Sequence, residues 1–247
     1  MRVGLEARRL VRVVEGIADR DVAVGFLRHE LARLGPDESA AVIAEIDARA
    51  EMRDDASARV MLLVSVALAA RECDELRVAI AEAAIARGDV DTARRLRPEP
   101  GARAADDDAA TVPDFGRGRP MTLGERKSLA RGRDRDLLAR VLRDPHPDVI
   151  RIVLANPAIT EPDVVRLCAK RPIVPEVLRE VARSSRWMVR YGVRLALARN
   201  PYTPLDVALS VVPHLNAQDA RDIAGSPELH DQLREACARA ARPRTIH

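Results

Sequence analysis

Apolar positions in the first 97 residues recur at the three- and four-residue intervals of an amphipathic helix. They predict helices over about 5–18, 21–34, 37–50, 55–71, 74–87 and 89–96. Gly35-Pro36 and Gly88-Asp89 punctuate the series, because glycine accepts the left-handed backbone that ends a helix and proline cannot continue one. Leu76, Ala79, Ile80, Ala83 and Ala84 form a stripe of small and aliphatic side chains suited to close antiparallel hairpins. The pattern then stops. From Pro98 to Pro120 there are four prolines, three glycines and the run Asp106-Asp107-Asp108, so 98–120 reads as a flexible linker. Thr122-Leu123-Gly124-Glu125 is a capping box that restarts helix near Met121. The expected organisation is an N-terminal α-helical module over 1–97, the linker, and a second helical module over 121–247.

The second module repeats itself. Ala155-Asn156-Pro157-Ala158-Ile159-Thr160 returns 44 residues later as Arg199-Asn200-Pro201-Tyr202-Thr203. Val149, Ile152, Val153 and Leu154 before the first Asn-Pro match Val193, Ala196, Leu197 and Ala198 before the second. Beyond the corner the offset closes to 43, so that Thr160, Asp163 and Val164 correspond to Thr203, Asp206 and Val207. Each proline pushes the preceding asparagine toward extended backbone and ends a helix. Thr160 and Thr203 are then expected to cap the next helix, with Asp163 and Asp206 at N3, and Pro162 and Pro204 in the first turn. Between the copies, 175–182 reads as a proline-started helix with Val177, Leu178, Val181 and Ala182 as its stripe. Units of three short helices that bury their apolar faces only against neighbours predict an all-α solenoid of stacked helices.

Read as a run, these residues resemble a known module. Leu138, Val141 and Asp144-Pro145, then Val149 through Asn156-Pro157 and Thr160, then Val164 and Leu167, resemble the variant leucine-rich repeat, which is HEAT-like and all-helical. Val177 through Pro204 resembles it a second time. The resemblance spans Leu137 to Val212 and implies the fold and a tendency to bind macromolecules. Some members carry an iron–sulfur cluster on a separate cysteine-rich segment; here Cys73, Cys168 and Cys237 stand singly, so that cofactor is not carried over and none is expected.

Composition agrees with helices. Apolar residues make up 47% and aromatic residues only 2%, so the core must be built from Ala, Leu and Val, which suit close-packed helices better than sheets. Unpaired cysteine spacing argues for a reducing compartment. The longest apolar run, Val60 to Ala70, falls well short of a bilayer span of roughly 20 residues. The first residues, interrupted by Arg8, Arg9 and Arg12, lack the apolar stretch of a signal peptide. A cytoplasmic protein is expected. The net charge of +3 is unevenly spread: residues 1–100 hold 16 Arg against 19 acids, whereas 121–247 hold 22 Arg or Lys against 15.

Candidate chemistry is sparse. There is no Gly-rich phosphate loop, Gly-x-Ser-x-Gly or Cys-x-x-Cys, and His29, His146, His214, His230 and His247 make no metal-ligand pattern. No catalytic, cofactor or metal residues are assigned, and the expected protein is not an enzyme. The strongest recognition signal is Arg183, Arg186, Arg190 and Arg194, which form a guanidinium ridge if 185–199 is one helix. These arginines either pair inside the fold with Glu176, Glu180 or Asp206 or face an anionic partner. Trp187 and Tyr191 flank the ridge, with Tyr202 nearby, either as wedges between layers or as interface anchors. Gly116-Arg117-Gly118-Arg119 is a weak nucleic-acid signal. The expected function is a non-catalytic adaptor or scaffold that binds a protein partner, with nucleic-acid binding through the basic module as the alternative and homo-oligomerisation left open.

Overall fold

The computed structural model describes residues 2–52, 54–116 and 118–242; Arg117 and His247, named above, lie outside these. Among the described residues 69% are helical, in fifteen α-helices with no strand, so the protein is all-α. No helix among them is long and apolar enough to cross a membrane.

The first six predicted helices form close to where the sequence places them. Helix α1 (Arg2–Gly16) buries Ala7, Leu10, Val11 and Val14, one face at helical spacing. Helix α2 (Arg20–Glu51) starts at Asp19, whose carboxylate accepts from the amides of Asp21 and Val22, and it breaks at Gly35, where φ is 75°. Helix α3 (Asp55–Leu68) is capped by Asp54 and carries the apolar run. Helices α4 (Asp74–Ala86) and α5 (Val90–Leu96) are separated at Gly88, φ 78°, with Asp89 capping α5. Helix α2 packs against α1, α3 and α4.

Among the described residues of 97–122 none is helical. The first part of the expected linker lies against the second Asn-Pro corner: Arg103 N donates to Pro201 O at 3.0 Å, and Glu99 O accepts from Leu205 N at 3.1 Å. Gly101 is required there, because a Cβ would fall 2.5 Å from the Thr203 carbonyl oxygen. Farther on, Ala109 and Phe115 are buried.

The second half restarts where expected. Helix α6 (Leu123–Ala130) opens with both bonds of the Thr122–Glu125 capping box. Then follow α7 (Arg135–Val141), α8 (Pro147–Ala155), α9 (Glu161–Ala169), α10 (Pro175–Ala182), α11 (Ser185–Met188), α12 (Tyr191–Ala198), α13 (Leu205–Val211), α14 (Ala217–Ala224) and α15 (Asp231–Ala240). Helix α8 contacts α6 and α10, and α12 contacts α9 and α13.

The repeated corners share one device. Asn156 Nδ2 donates to the carbonyls of Ala130 at 2.8 Å and Gly132 at 2.7 Å, while its Oδ1 accepts from Ala158 N at 2.9 Å. Asn200 does the same to Cys168 O at 2.6 Å and Lys170 O at 3.0 Å, and accepts from Tyr202 N at 3.0 Å. Each side chain thus turns its own loop and satisfies carbonyls left open at the end of an earlier helix, α6 or α9. Asp144 builds a third such turn, accepting from His146 N at 2.9 Å and from Arg126 Nη1 at 2.7 and 2.8 Å.

The two threonines diverge. At the first corner, the Asp163 carboxylate accepts from Thr160 N and Oγ1 at 3.0 and 2.7 Å; with the Arg135 guanidinium, these bonds outweigh burial and hold its carboxyl at about 2. Thr203 does not cap: Pro204 takes that position, and the Thr203 hydroxyl donates backwards to Leu197 O at 2.7 Å. Its expected partner Asp206 is claimed instead by Arg77 and Arg179, and Glu99 O, from the first part of the expected linker, caps Leu205 N.

The halves share one contiguous apolar core. Helix α11 rests on α2 and α3, and α13 rests on α3 and α5. Two buried carboxylates of the second half are each held by one arginine from either side of this junction. Glu180 Oε1 accepts from Arg71 at 2.7 Å and Arg183 at 2.6 Å. Asp206 Oδ2 accepts from Arg77 at 3.1 Å and Arg179 at 2.6 Å. Burying carboxylates at 3% exposure is tolerable only with paired, hydrogen-bonded countercharges, which both receive.

Candidate functional site

The predicted ridge is not one surface. The helix over 185–199 breaks after Met188, where Arg190 takes extended backbone and its amide closes a turn onto Trp187 O at 2.9 Å. Arg183 is spent on Glu180 and on Ala69 O, reached by Nε at 2.7 Å. Arg186 lies over the Trp187 ring, 4.3 Å from its centroid, and donates to Asn156 O and Ile159 O, so it braces the first corner. Trp187 is 3% exposed and donates Nε1–H to Leu154 O at 2.9 Å, a wedge between helices. Tyr191 donates its hydroxyl to Asp219 and accepts from Asn216 N at 3.2 Å. Arg194, half-buried, donates to Met188 O at 2.7 Å. Among the described residues Arg190 alone of the set stands mostly exposed without a close partner, its Nε 3.9 Å from Glu161. The six side chains are therefore not assembled into a shared docking face.

A different place is assembled. Between the two halves, the C-terminal part of α2, the start of α3 and α5 face the turn after α13, α14 and α15 across an open groove of about 1080 Å³. Its floor is apolar, from Met61, Leu209, Val212 and Leu215, and its facing helices contribute the alanine pairs Ala44/Ala48 and Ala236/Ala240, each at i,i+4. Its charge comes from Arg94, Arg95, Arg221, Arg239 and Arg242 against Asp47, Asp89 and Asp91. Arg95 is neutralised by Asp47 at 2.8 Å, and Arg239 by Asp91 at 3.1 Å. Asp89 is turned to cap α5 at Thr92 N, 3.0 Å. Among the described residues Arg94, Arg221 and Arg242 have no carboxylate in ion-pair range.

His214 lines the same groove. Burial, reinforced by Arg194 and Arg95 and opposed only by Asp47, depresses its pKa to about 4 from an ordinary 6.5. The unfolded chain therefore takes up this proton first as pH falls. Stability from neutral His214 is present above pH 6.5 and declines as pH drops from 6.5 toward 4, by up to ~3 kcal/mol. Thermal melts of the wild type should fall across that window, and His214→Gln should flatten the slope between pH 6.5 and 4.5. Parallel slopes would contradict it.

Nothing in the sequence pointed to this groove, because its lining comes from five separated stretches and consists largely of alanine and arginine, common residues with no spacing signature. Among the described residues no group of three His, Cys, Asp or Glu side chains converges as a metal centre would. No protein-family model matches this chain, and no curated protein or solved structure shows significant similarity to it.

Proposed function

We propose that this protein is a non-catalytic adaptor or scaffold, in which a HEAT-like, variant-leucine-rich-repeat-like helical array presents the inter-half groove to a protein partner. The groove carries this reading: it is large and open, with an apolar floor flanked by charged side chains, and a concavity of this kind at a junction of elements is where proteins bind one another or a ligand. The repeated Asn-Pro corners support the array, since each ties a loop to a helix of the preceding unit, as stacking requires. The three cysteines are free and buried, in keeping with the cytoplasm. Nucleic acid is the less favoured partner, because stacking bases needs exposed aromatic faces and no Phe, Tyr or Trp among the described residues lines the groove.

The test is recovery of tagged protein from the cell that produces it, with and without nuclease, for wild type and Ala48→Trp, which fills the groove from an exposed helix position. The expected result is a set of proteins retained through nuclease and lost with Ala48→Trp. Retention by both variants would overturn the groove as the docking place, and loss on nuclease treatment would assign the partner to nucleic acid.

A further inference from the structure

We infer that the occupant of the groove is an acidic amphipathic helix of a protein partner, an inference that rests on the adaptor reading above. Charge complementarity is the first argument. Five arginines against three aspartates leave two positive charges in excess along the lining, and those without a carboxylate partner among the described residues are Arg94, Arg221 and Arg242 rather than the internally paired Arg95 and Arg239. Arg221 and Arg242 are exposed and Arg94 is half-buried, so all three flank an apolar floor instead of lying in it. An occupant that buries apolar side chains on that floor must meet cations at the rim, which selects carboxylates on its outer flanks.

The shape supplies the second argument. A groove whose facing helices offer Ala44/Ala48 and Ala236/Ala240 lets another backbone approach closely, as helix-in-groove recognition needs. An amphipathic helix lying there would present apolar anchors at i, i+3, i+4 and i+7. An extended strand is less suited, since the walls are helices whose backbone groups are already bonded within themselves and offer no open edge to pair with.

The experiment is selection of a random 16-residue peptide library displayed on phage against the full chain, with Ala48→Trp and Arg94→Gln/Arg221→Glu as counter-targets and circular dichroism melts to verify that both variants fold. Enriched peptides should be net acidic with apolar residues at helical spacing. Synthetic copies should gain helicity on binding, and affinity should fall at least tenfold for either variant. Should Ala48→Trp fail to fold, Arg221→Glu alone, on an exposed position, provides the comparison. Enrichment of basic, neutral or extended peptides that Ala48→Trp still blocks would overturn the acidic helix while leaving the groove as the adaptor's docking place. Enriched peptides that bind Ala48→Trp as well as wild type would overturn both, as would no enrichment. Displacement of the selected peptides by single-stranded poly(A) at 150 mM salt, but not by their own unlabelled copies, would assign the groove to nucleic acid and overturn the inference.

Discussion

Asp206→Ala should lower the stability of the whole chain by about 3–5 kcal/mol, the cost of breaking a buried ion pair from one side. The carboxylate is 3% exposed, and two guanidinium groups, Arg77 from the first half and Arg179 from the second, donate to it. Removing it strands both cations. Arg77 keeps only Asp74, at 2.8 Å and half-exposed, and its Nε already lacks a partner among the described residues. In urea the midpoint should drop with little change in slope, since the surface exposed on unfolding is nearly the same. The triple variant Asp206→Ala/Arg77→Met/Arg179→Met should recover part of the loss, because it removes the stranded charges along with the carboxylate. A midpoint for Asp206→Ala that matches wild type would mean that the clamp does not hold the halves together.

Asn200→Ala should cost ~2–4 kcal/mol, because it leaves the Cys168 and Lys170 carbonyls without their donor in a region where Asn200 itself is 2% exposed. It also frees the Tyr202 amide that fixes the turn. Asn156→Ala should behave alike, since the same three bonds run to Ala130, Gly132 and Ala158. Asn200→Asp keeps the shape and the acceptor but loses both donors, and should be no more stable than the alanine variant. Denaturant titration of all three decides. A large loss at one corner with none at the other would end the view that they are one repeated device.

The difference between what sequence reading found and what it missed follows the range of the interactions. Gly35 and Gly88 are visible because a left-handed backbone has a local chemical signature, and Thr122–Glu125 because a capping box is a contact over three residues. The Asn-Pro corners are visible for the same reason, together with their repetition. By contrast, Thr203 carries the same local signal as Thr160 yet does not cap, because Glu99, far upstream in sequence, delivers its carbonyl to the amide that a cap would have satisfied. The arginine ridge fails on a break at Val189-Arg190 that neither glycine nor proline announces. Its members then find carbonyls and carboxylates of other helices rather than a partner.

By itself, then, the sequence determines an all-α protein, the approximate ends of its helices and the two matched corners, since helical periodicity, caps and turns are settled within a few residues of chain. The tertiary structure alone decides which charges neutralise one another and where a surface is left open. Arg71 meets Glu180 across 109 residues and Arg77 meets Asp206 across 129, and no periodicity encodes such pairings. The groove depends on them too: packing brings α2, α5, α14 and α15 together, and only after internal pairs consume Arg95 and Arg239 do Arg94, Arg221 and Arg242 remain, among the described residues, as its available charge.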